Sequence, residues 1–517
     1  MKGEITMEDI MIVQGEEASK TVVIKEDIYL IVRSVLLGVL FDFLFYKKAL
    51  GISYTLFVVA FYVVFLWSLR DKVAFKFSLG WFLSIPIIAL SATYFIFSNQ
   101  IFASLNFFII PVLIIAQTIL ITKKNKHRWY DPRIIKDIVN GIFNRAFSYT
   151  SKPFVIVLSS LRIRKSNEKY DVLKKILIGL TIAIPLLIIV ISLLASADRI
   201  FKHFIDEISS SFGTINIGDF SLQGIIALLI MVIVFSYIWS FSNPNDHIQA
   251  QGQPNSLESN KRSWDPIISI TILIAINCVY LVFTLIQFGY MFGPLNNALP
   301  AEFTYAEYAR RGFFELLMVT LINFSLVLSS IRFTRKDGNL VARTVQILHS
   351  LLIICTVVIL ISAFLRMSLY EAVYGYTYLR VLTHSFMIFL GVLLAIAFYK
   401  IWNEGISLLK PYIVVSILAY MLVNFVNIDV IIVKNNIARY VETGKLDPYY
   451  LRNLSYDSIP LVVNLLKDGK VFKDENVSND LKSYLAGQQN LLSIEQSWQS
   501  FNLSRHKAKQ VLSQNTF

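Results

Sequence analysis

Nearly uncharged apolar stretches of about twenty residues recur along the whole chain, and nothing else in the sequence restricts its fold as tightly. They lie at about 28–46, 51–69, 77–98, 104–122, 176–195, 221–242, 266–289, 311–333, 344–365, 379–401 and 411–432. A helix of about 20 apolar residues crosses the roughly 30 Å hydrocarbon core of a bilayer. In lipid the backbone must satisfy its own hydrogen bonds, so such runs are helical. The expected fold is therefore all-α: a polytopic transmembrane bundle of about eleven spans, with ten to twelve compatible with the pattern. A large soluble enzyme is excluded, because only 16% of the 517 residues are charged, against about 25% in soluble domains.

Where the charge sits predicts the orientation. The net charge of +13 does not imply nucleic acid, because most basic residues fall between apolar runs, as in the cytoplasmic loops of membrane proteins. The loop at 123–175 carries 14 Lys and Arg, against two each at 47–48 and 199–202. That asymmetry places the loop, and with it the N-terminus, in the cytoplasm. An odd number of spans then puts the C-terminal region outside. Within the loop, Ile134, Ile135, Ile138, Val139, Ile142, Phe143 and Phe147 recur at helical spacing. This is an amphipathic helix suited either to anionic inner-leaflet lipid or to packing beneath the bundle.

The expected organisation is a cytoplasmic extension (1–27), a first transmembrane half (28–242) holding the basic loop, and a cytoplasmic linker (243–264) rich in Asn, Pro, Gly and Ser. A second half (265–432) and a helical extracytoplasmic C-terminal region (433–517) follow. Residues 1–27 are polar and lack a signal-peptide core, with a short strand or amphipathic piece near 21–24. Arg33 and Asp42 share the first span, about 13 Å apart along a helix, too far to pair. Cys278 and Cys355 both lie in apolar runs and form no disulfide framework.

Ionisable residues gather where this topology puts the outer ends of spans, and burying them there demands partners or a function. Glu307, Arg311 and Glu315 form an i, i+4, i+8 ladder on one helix face, in a stretch that also holds Tyr305, Tyr308 and Arg310. Thr304 and Glu307 have capping-box spacing, so this helix starts near Tyr305. A second hairpin presents Arg366, Tyr370, Glu371 and Tyr374, then Gly375, then Arg380 and His384. Asp42, Asp198, Arg199 and Asp429 are candidate network partners, and Asn424 and Asn427 are candidates for helix–helix hydrogen bonds. Arginines beside tyrosines suit an anionic ligand, and a structural ion-pair network fits the same residues.

The segments 304–315 (TYAEYARRGFFE), 366–380 (RMSLYEAVYGYTYLR), 427–440 (NIDVIIVKNNIARY) and 498–508 (WQSFNLSRHKA), with SADRIF at 196–201, resemble a family of bacterial polytopic membrane proteins known by a domain-of-unknown-function label. The resemblance covers roughly residues 170–510; Tyr376 and Lys434 depart mildly from its pattern. It implies a multi-pass protein of the bacterial cytoplasmic membrane and brings no activity, cofactor or catalytic residue with it. Three functions remain in view. The first is binding or transport of an anionic or envelope-associated ligand at the outer Arg/Glu/Tyr cluster. The second is a membrane enzyme acting on a lipid-linked substrate, and the third a non-catalytic sensor or scaffold. No phosphate-binding glycine loop, metal-ligand spacing or nucleophile motif supports the enzyme, so no catalytic residue, metal or cofactor is expected. Beyond the lipid bilayer, no partner is specified.

Overall fold

The computed structural model describes residues 7–73, 75, 78–160, 217–242, 264–292, 305–334, 338–403, 405–468 and 474–515. The expected fifth span at 176–195, Asp198, Arg199 and most of the 243–264 linker lie outside the described residues, as do the side chains of residues 305–312. What is described is helical, with no strand among the described residues apart from one isolated bridge between Trp264 and Thr334.

The first half holds α1 (Met7–Phe45), α2 (Ile52–Ser68), α3 (Leu79–Phe82), α4 (Ser84–Ile96) and α5 (Gln100–Ile121). After the basic loop with α6 (Ile134–Asn140) and α7 (Lys152–Ser160) comes α8 (Ile217–Ser242). The second half holds α9 (Pro266–Phe292), α10 (Tyr305–Phe333), α11 (Asn339–Tyr374), α12 (Tyr378–Trp402) and α13 (Leu409–Phe425). The C-terminal region follows as α14 (Ile428–Thr443), α15 (Pro448–Arg452), α16 (Ile459–Lys467), α17 (Glu475–Ser493) and α18 (Leu503–Ser513). Among the described residues, eight helices are long and apolar enough to cross a membrane, and nine if the bent pair α13–α14 counts as one span; α2, with 17 residues, is shorter.

The elements differ from expectation in three places. No strand forms near 21–24: α1 runs unbroken from Met7. The run at 77–98 is two helices separated at Leu83. The last run, expected as one span at 411–432, breaks after Phe425 and turns by 59°. Asn427 makes that break, because its side chain accepts the Val430 amide and starts a new helix.

Four apolar cores result. One joins α1, α2, α5 and α8 around Phe65, Phe235 and Phe241. A second joins α9 to α12 around Leu352, Ala363 and Leu394. A third packs Ile417 and Tyr420 of α13 against α4 and α5, so a helix of the second half closes the first. Tyr412 of the same helix donates to the Leu393 carbonyl of α12 at 2.9 Å, holding α13 to the rest of the second half. Close approach of α1 and α8 depends on Gly38, since a Cβ there would run into the Ala227 carbonyl. The fourth core, Ile432, Val433, Val463, Leu485, Ala508 and Leu512, belongs to the C-terminal region and includes Phe102 at the start of α5.

These contacts define two ends of the bundle. At one, the tail end, the Ile52 amide donates to Phe501, Asn502 to the carbonyls of Tyr94 and Phe97, and Arg439 to those of Ala372 and Val373. At the other, the loop end, Ser236 bonds the Arg145 carbonyl, Lys72 reaches the Ser242 carbonyl, and Lys410 stands over the Tyr130 ring. The basic loop and the C-terminal region therefore occupy opposite ends.

Candidate binding cleft at the tail end

Three asparagines start three helices at the tail end. Asn99 accepts the Phe102 amide and opens α5; Asn427 accepts that of Val430 and opens α14; Asn502 accepts that of Arg505 and opens α18. Each is a strong N-cap because its short amide satisfies an otherwise orphaned amide of the first turn. Their spare donors tie the elements together. The Asn99 amide nitrogen donates to the Tyr378 hydroxyl at 2.9 Å and to Asp429 at 3.2 Å. That of Asn502 reaches the Tyr94 and Phe97 carbonyls at the end of α4.

Two carboxylates hold the surrounding backbone. Asp429, only 1% exposed, sits in the first turn of α14 and accepts the Ser455 amide at 2.9 Å. Charge at this position also complements the positive end of the helix. Asp457 accepts from the Ser98 amide and hydroxyl at 2.8 and 2.9 Å, from the Ser455 hydroxyl at 2.9 Å, and from the Ser504 hydroxyl. Both carboxylates act as posts, gathering donors from chain segments far apart in sequence. Deeper in the bundle the buried Asn106 accepts from Tyr420 at 2.7 Å and donates to Asn424 at 2.8 Å and Thr93 at 3.1 Å. Asn424 thus forms the helix–helix hydrogen bond proposed for it from the sequence.

Between these groups a cleft of about 230 Å³ opens, lined by Tyr94, Phe97, Gln100, Asn427, Tyr456 and Arg505 among others. Ala49 and Leu50 form part of its wall as well. Arg505 is the only basic residue among the described lining residues, its guanidinium 5.9 Å from the Tyr456 ring. The lining combines an apolar, aromatic wall with a few polar groups, the composition of a small-molecule site.

The Arg366–Arg380 hairpin stands beside this cleft. Gly375, at φ +83°, turns the chain where α11 ends. Asn436 of α14 clamps the turn, accepting the Tyr376 amide at 2.7 Å and donating to its carbonyl at 2.9 Å. Arg380 lies 4.4 Å over the Tyr370 ring and donates to the carbonyls of Tyr374 and Gly375. Tyr370 packs against Tyr374 at 4.8 Å, and His384 stands 3.4 Å from Glu371. Outside the spans, burial and the nearby Glu371 carboxylate push the Tyr376 phenol up, and burial does the same to Tyr450.

The structure thus gathers Tyr370, Glu371, Tyr374, Arg380 and His384, and leaves Glu315 exposed on α10. Arg366 is half-buried near the end of α11. The side chains of Tyr305, Glu307, Tyr308, Arg310 and Arg311 lie outside the description. Asp42 is half-buried at the tail end of α1, and Arg33, as anticipated, does not pair with it: it bonds Ser68 and stacks on Trp67. Asn99, Asn106, Asp457, Asn502 and Arg505 were not singled out from the sequence. Of these, only Asn99 and Asn502 carry a sequence signal, each as an N-cap asparagine ahead of a helix.

A family model described as Domain of unknown function (DUF4153) matches residues 84–465. The chain belongs to that family. No curated protein and no solved structure matches it. The DUF4153 match begins earlier than the expected 170 and ends before WQSFNLSRHKA. It therefore takes in Asn99, Asn424, Asn427, Asp429 and Asp457, whereas Asn502, Ser504 and Arg505 of α18 lie beyond it.

Proposed function

We propose that this DUF4153 protein binds the anionic head group of an envelope-associated amphiphile in the tail-end cleft, as a binding or transport protein. One observation carries the reading. An apolar helix breaks at Val426–Asn427 and bends by 59° beside a cleft that the C-terminal helices close. Discontinuous helices in a membrane bundle put polar backbone and helix N-termini where a substrate can meet them. Arg505 supplies the charge for an anionic group, and Tyr94, Phe97 and Tyr456 supply the wall for an apolar portion. Arg380 and Arg439 instead donate to carbonyls that end α11, so the anion contact moves from the hairpin to Arg505.

The same reading places the loop end in the cytoplasm of a bacterial inner membrane and the tail end outside. Lys123, Lys124, Lys126, Arg128, Arg133 and Lys136 at one end support it. It keeps the division into extension, two transmembrane halves, linker and tail, supported by the separate core of the C-terminal region. Contact of the loop with anionic lipid has its own support. Ile135, Val139, Phe143 and Phe147 form an exposed row at spacing four, while Asp137 and Arg145 turn inward. An apolar row facing away from the bundle with cations around it suits an anionic bilayer surface.

Native mass spectrometry of protein purified from membranes tests the cleft. Wild type should retain a bound envelope amphiphile. Ala49→Trp, which fills the cleft wall, and Arg505→Gln should each lose at least 90% of it. Equal retention in all three contradicts the assignment.

A further inference from the structure

The second half carries a row of buried polar side chains that the cleft does not use. Helices α9 and α11 run parallel from the loop end to the tail end, and α11 packs against both α9 and the antiparallel α10. On α9, Asn277, Tyr280, Thr284 and Gln287 share one face at spacings of three, four and three. Asn277 donates to the Leu348 carbonyl at 3.0 Å, close to the buried His349. Asn323 of α10 donates to Thr356 of α11 at 3.1 Å, and its own side-chain oxygen is buried without a partner. Thr284 presents a buried hydroxyl without a partner, and Ser362 donates to Gln287 at 2.8 Å. Nine residues beyond Ser362 on α11, at the tail end, lies Glu371, 3% exposed, with one carboxylate oxygen 3.4 Å from His384 and the other without a partner.

Length and chemistry both bear on what this row does. From His349 to Glu371 is 22 residues of α11, about 33 Å along a helix, close to the roughly 30 Å hydrocarbon thickness. Hydroxyls of Tyr280, Thr284, Thr356 and Ser362 both accept and donate, so they relay protons by rotation. The Asn277 carbonyl oxygen is buried without a partner, as is one oxygen of Glu371. An unsatisfied buried polar atom costs about 1–3 kcal/mol and marks a place where water is held. Charged and titratable groups around Glu371 are Arg380 and His384 on α12 and Tyr376 in the turn. Arg439 on α14 reaches the same helix end, where it is engaged with the Ala372 and Val373 carbonyls. The α10 side chains of Arg310 and Arg311 lie outside the description.

We propose that this file conducts protons between the two ends of the bundle, with Glu371 and His384 as the proton-holding pair at the tail end. A proton adds to the Glu371 carboxylate, passes as O–H and N–H bonds are exchanged along water and side-chain hydroxyls, and leaves at the His349 level. One positive charge crosses and no other bond is made or broken. Ionisable groups buried in a transmembrane bundle characteristically mark such relays. The inference stands on α9–α12 and does not rest on the cleft.

The test uses the full chain in liposomes loaded with a pH-sensitive dye, with an inward potential set by potassium and valinomycin. Wild-type vesicles should change internal pH at least tenfold faster than protein-free vesicles. Glu371→Gln and Thr356→Val should fall to within twofold of the protein-free rate, Glu371→Asp should restore part of it, and the lipid-facing Leu369→Ala should leave it unchanged. A hydrophobic carbodiimide, which adds to protonated membrane carboxyls and leaves a stable N-acylurea, should when applied to folded wild type add its mass at Glu371 and stop the flux; this arm needs no variant to fold. Wild-type flux at the protein-free rate, or full flux after Glu371 is modified, overturns the proposal.

Discussion

Asn106 shows what a single buried residue contributes here. It is fully buried and joins α4, α5 and α13 through Thr93, Tyr420 and Asn424. Asn106→Leu strands the Tyr420 hydroxyl and the Asn424 carbonyl oxygen, and each stranded group costs about 1–3 kcal/mol. Thermal unfolding in detergent should show a loss of that order, with Asn106→Ser recovering part of it. Asn424 was legible as a helix–helix hydrogen-bonding residue because a buried amide in an apolar run has few other uses, but its partner Asn106, which donates to it, lies 318 positions away, a separation periodicity does not encode. Gly375→Ala should also destabilise, by about 1–3 kcal/mol, because φ +83° with ψ 169° is backbone essentially reserved for glycine. The new Cβ would also lie 2.7 Å from the Asn436 side-chain oxygen. In the basic loop, hydrogen bonds from Arg133 hold the Asp131 carboxyl down at about 2. A depressed folded value means its contribution to stability is present above the ordinary value of about 3.9. That contribution is lost as pH falls towards 2. Carbon NMR of Asp131 should titrate near 2 in wild type and near 3.9 in Arg133→Ala.

Among elements, the α13–α14 break best separates what sequence patterning conveys from what it does not. Val426, Ile428, Val430 and Ile431 keep the stretch apolar across the turn, so hydropathy reads it as one span. The local signal is Asn427, with Asp429 two residues on, a cap followed by an acid in the first turn. Asn427→Leu removes the cap bond to Val430 and should cost about 1 kcal/mol, with a larger proportional loss of ligand retention than of stability. In α6, periodicity located the apolar face, but its direction follows from anchors elsewhere: Asp137 accepts the Lys126 and His127 amides, and Arg145 packs over Phe241. The charged ladder at Glu307, Arg311 and Glu315 belongs to α10, whose described residues begin at Tyr305; Thr304 of the expected capping box lies outside the description. The partners of Glu307 and Arg311 lie outside the description.

At the scale of the molecule, the count and spacing of apolar runs conveyed the all-α membrane-like bundle, and charge asymmetry separated the basic loop from the C-terminal region. Which tail residues meet which span ends was not readable, because contacts such as Asp457 with Ser98 and Asn502 with Tyr94 join segments hundreds of residues apart. The opposed ends are testable by single-cysteine labelling after Cys278 and Cys355 are replaced by alanine. A membrane-impermeant maleimide should label Tyr449→Cys in intact cells and Arg128→Cys only after permeabilisation; labelling of both from one side contradicts the two-ended arrangement. The central claim is that the cleft beside the bent helix holds an envelope amphiphile, and a photo-crosslinker tests it most directly. A benzophenone amino acid at Gln100, in the cleft lining, should on illumination of membranes add one small-molecule mass to the protein, whereas the same group at Lys482 of α17 should add none. A Gln100 adduct absent, or equal to that at Lys482, would contradict the account.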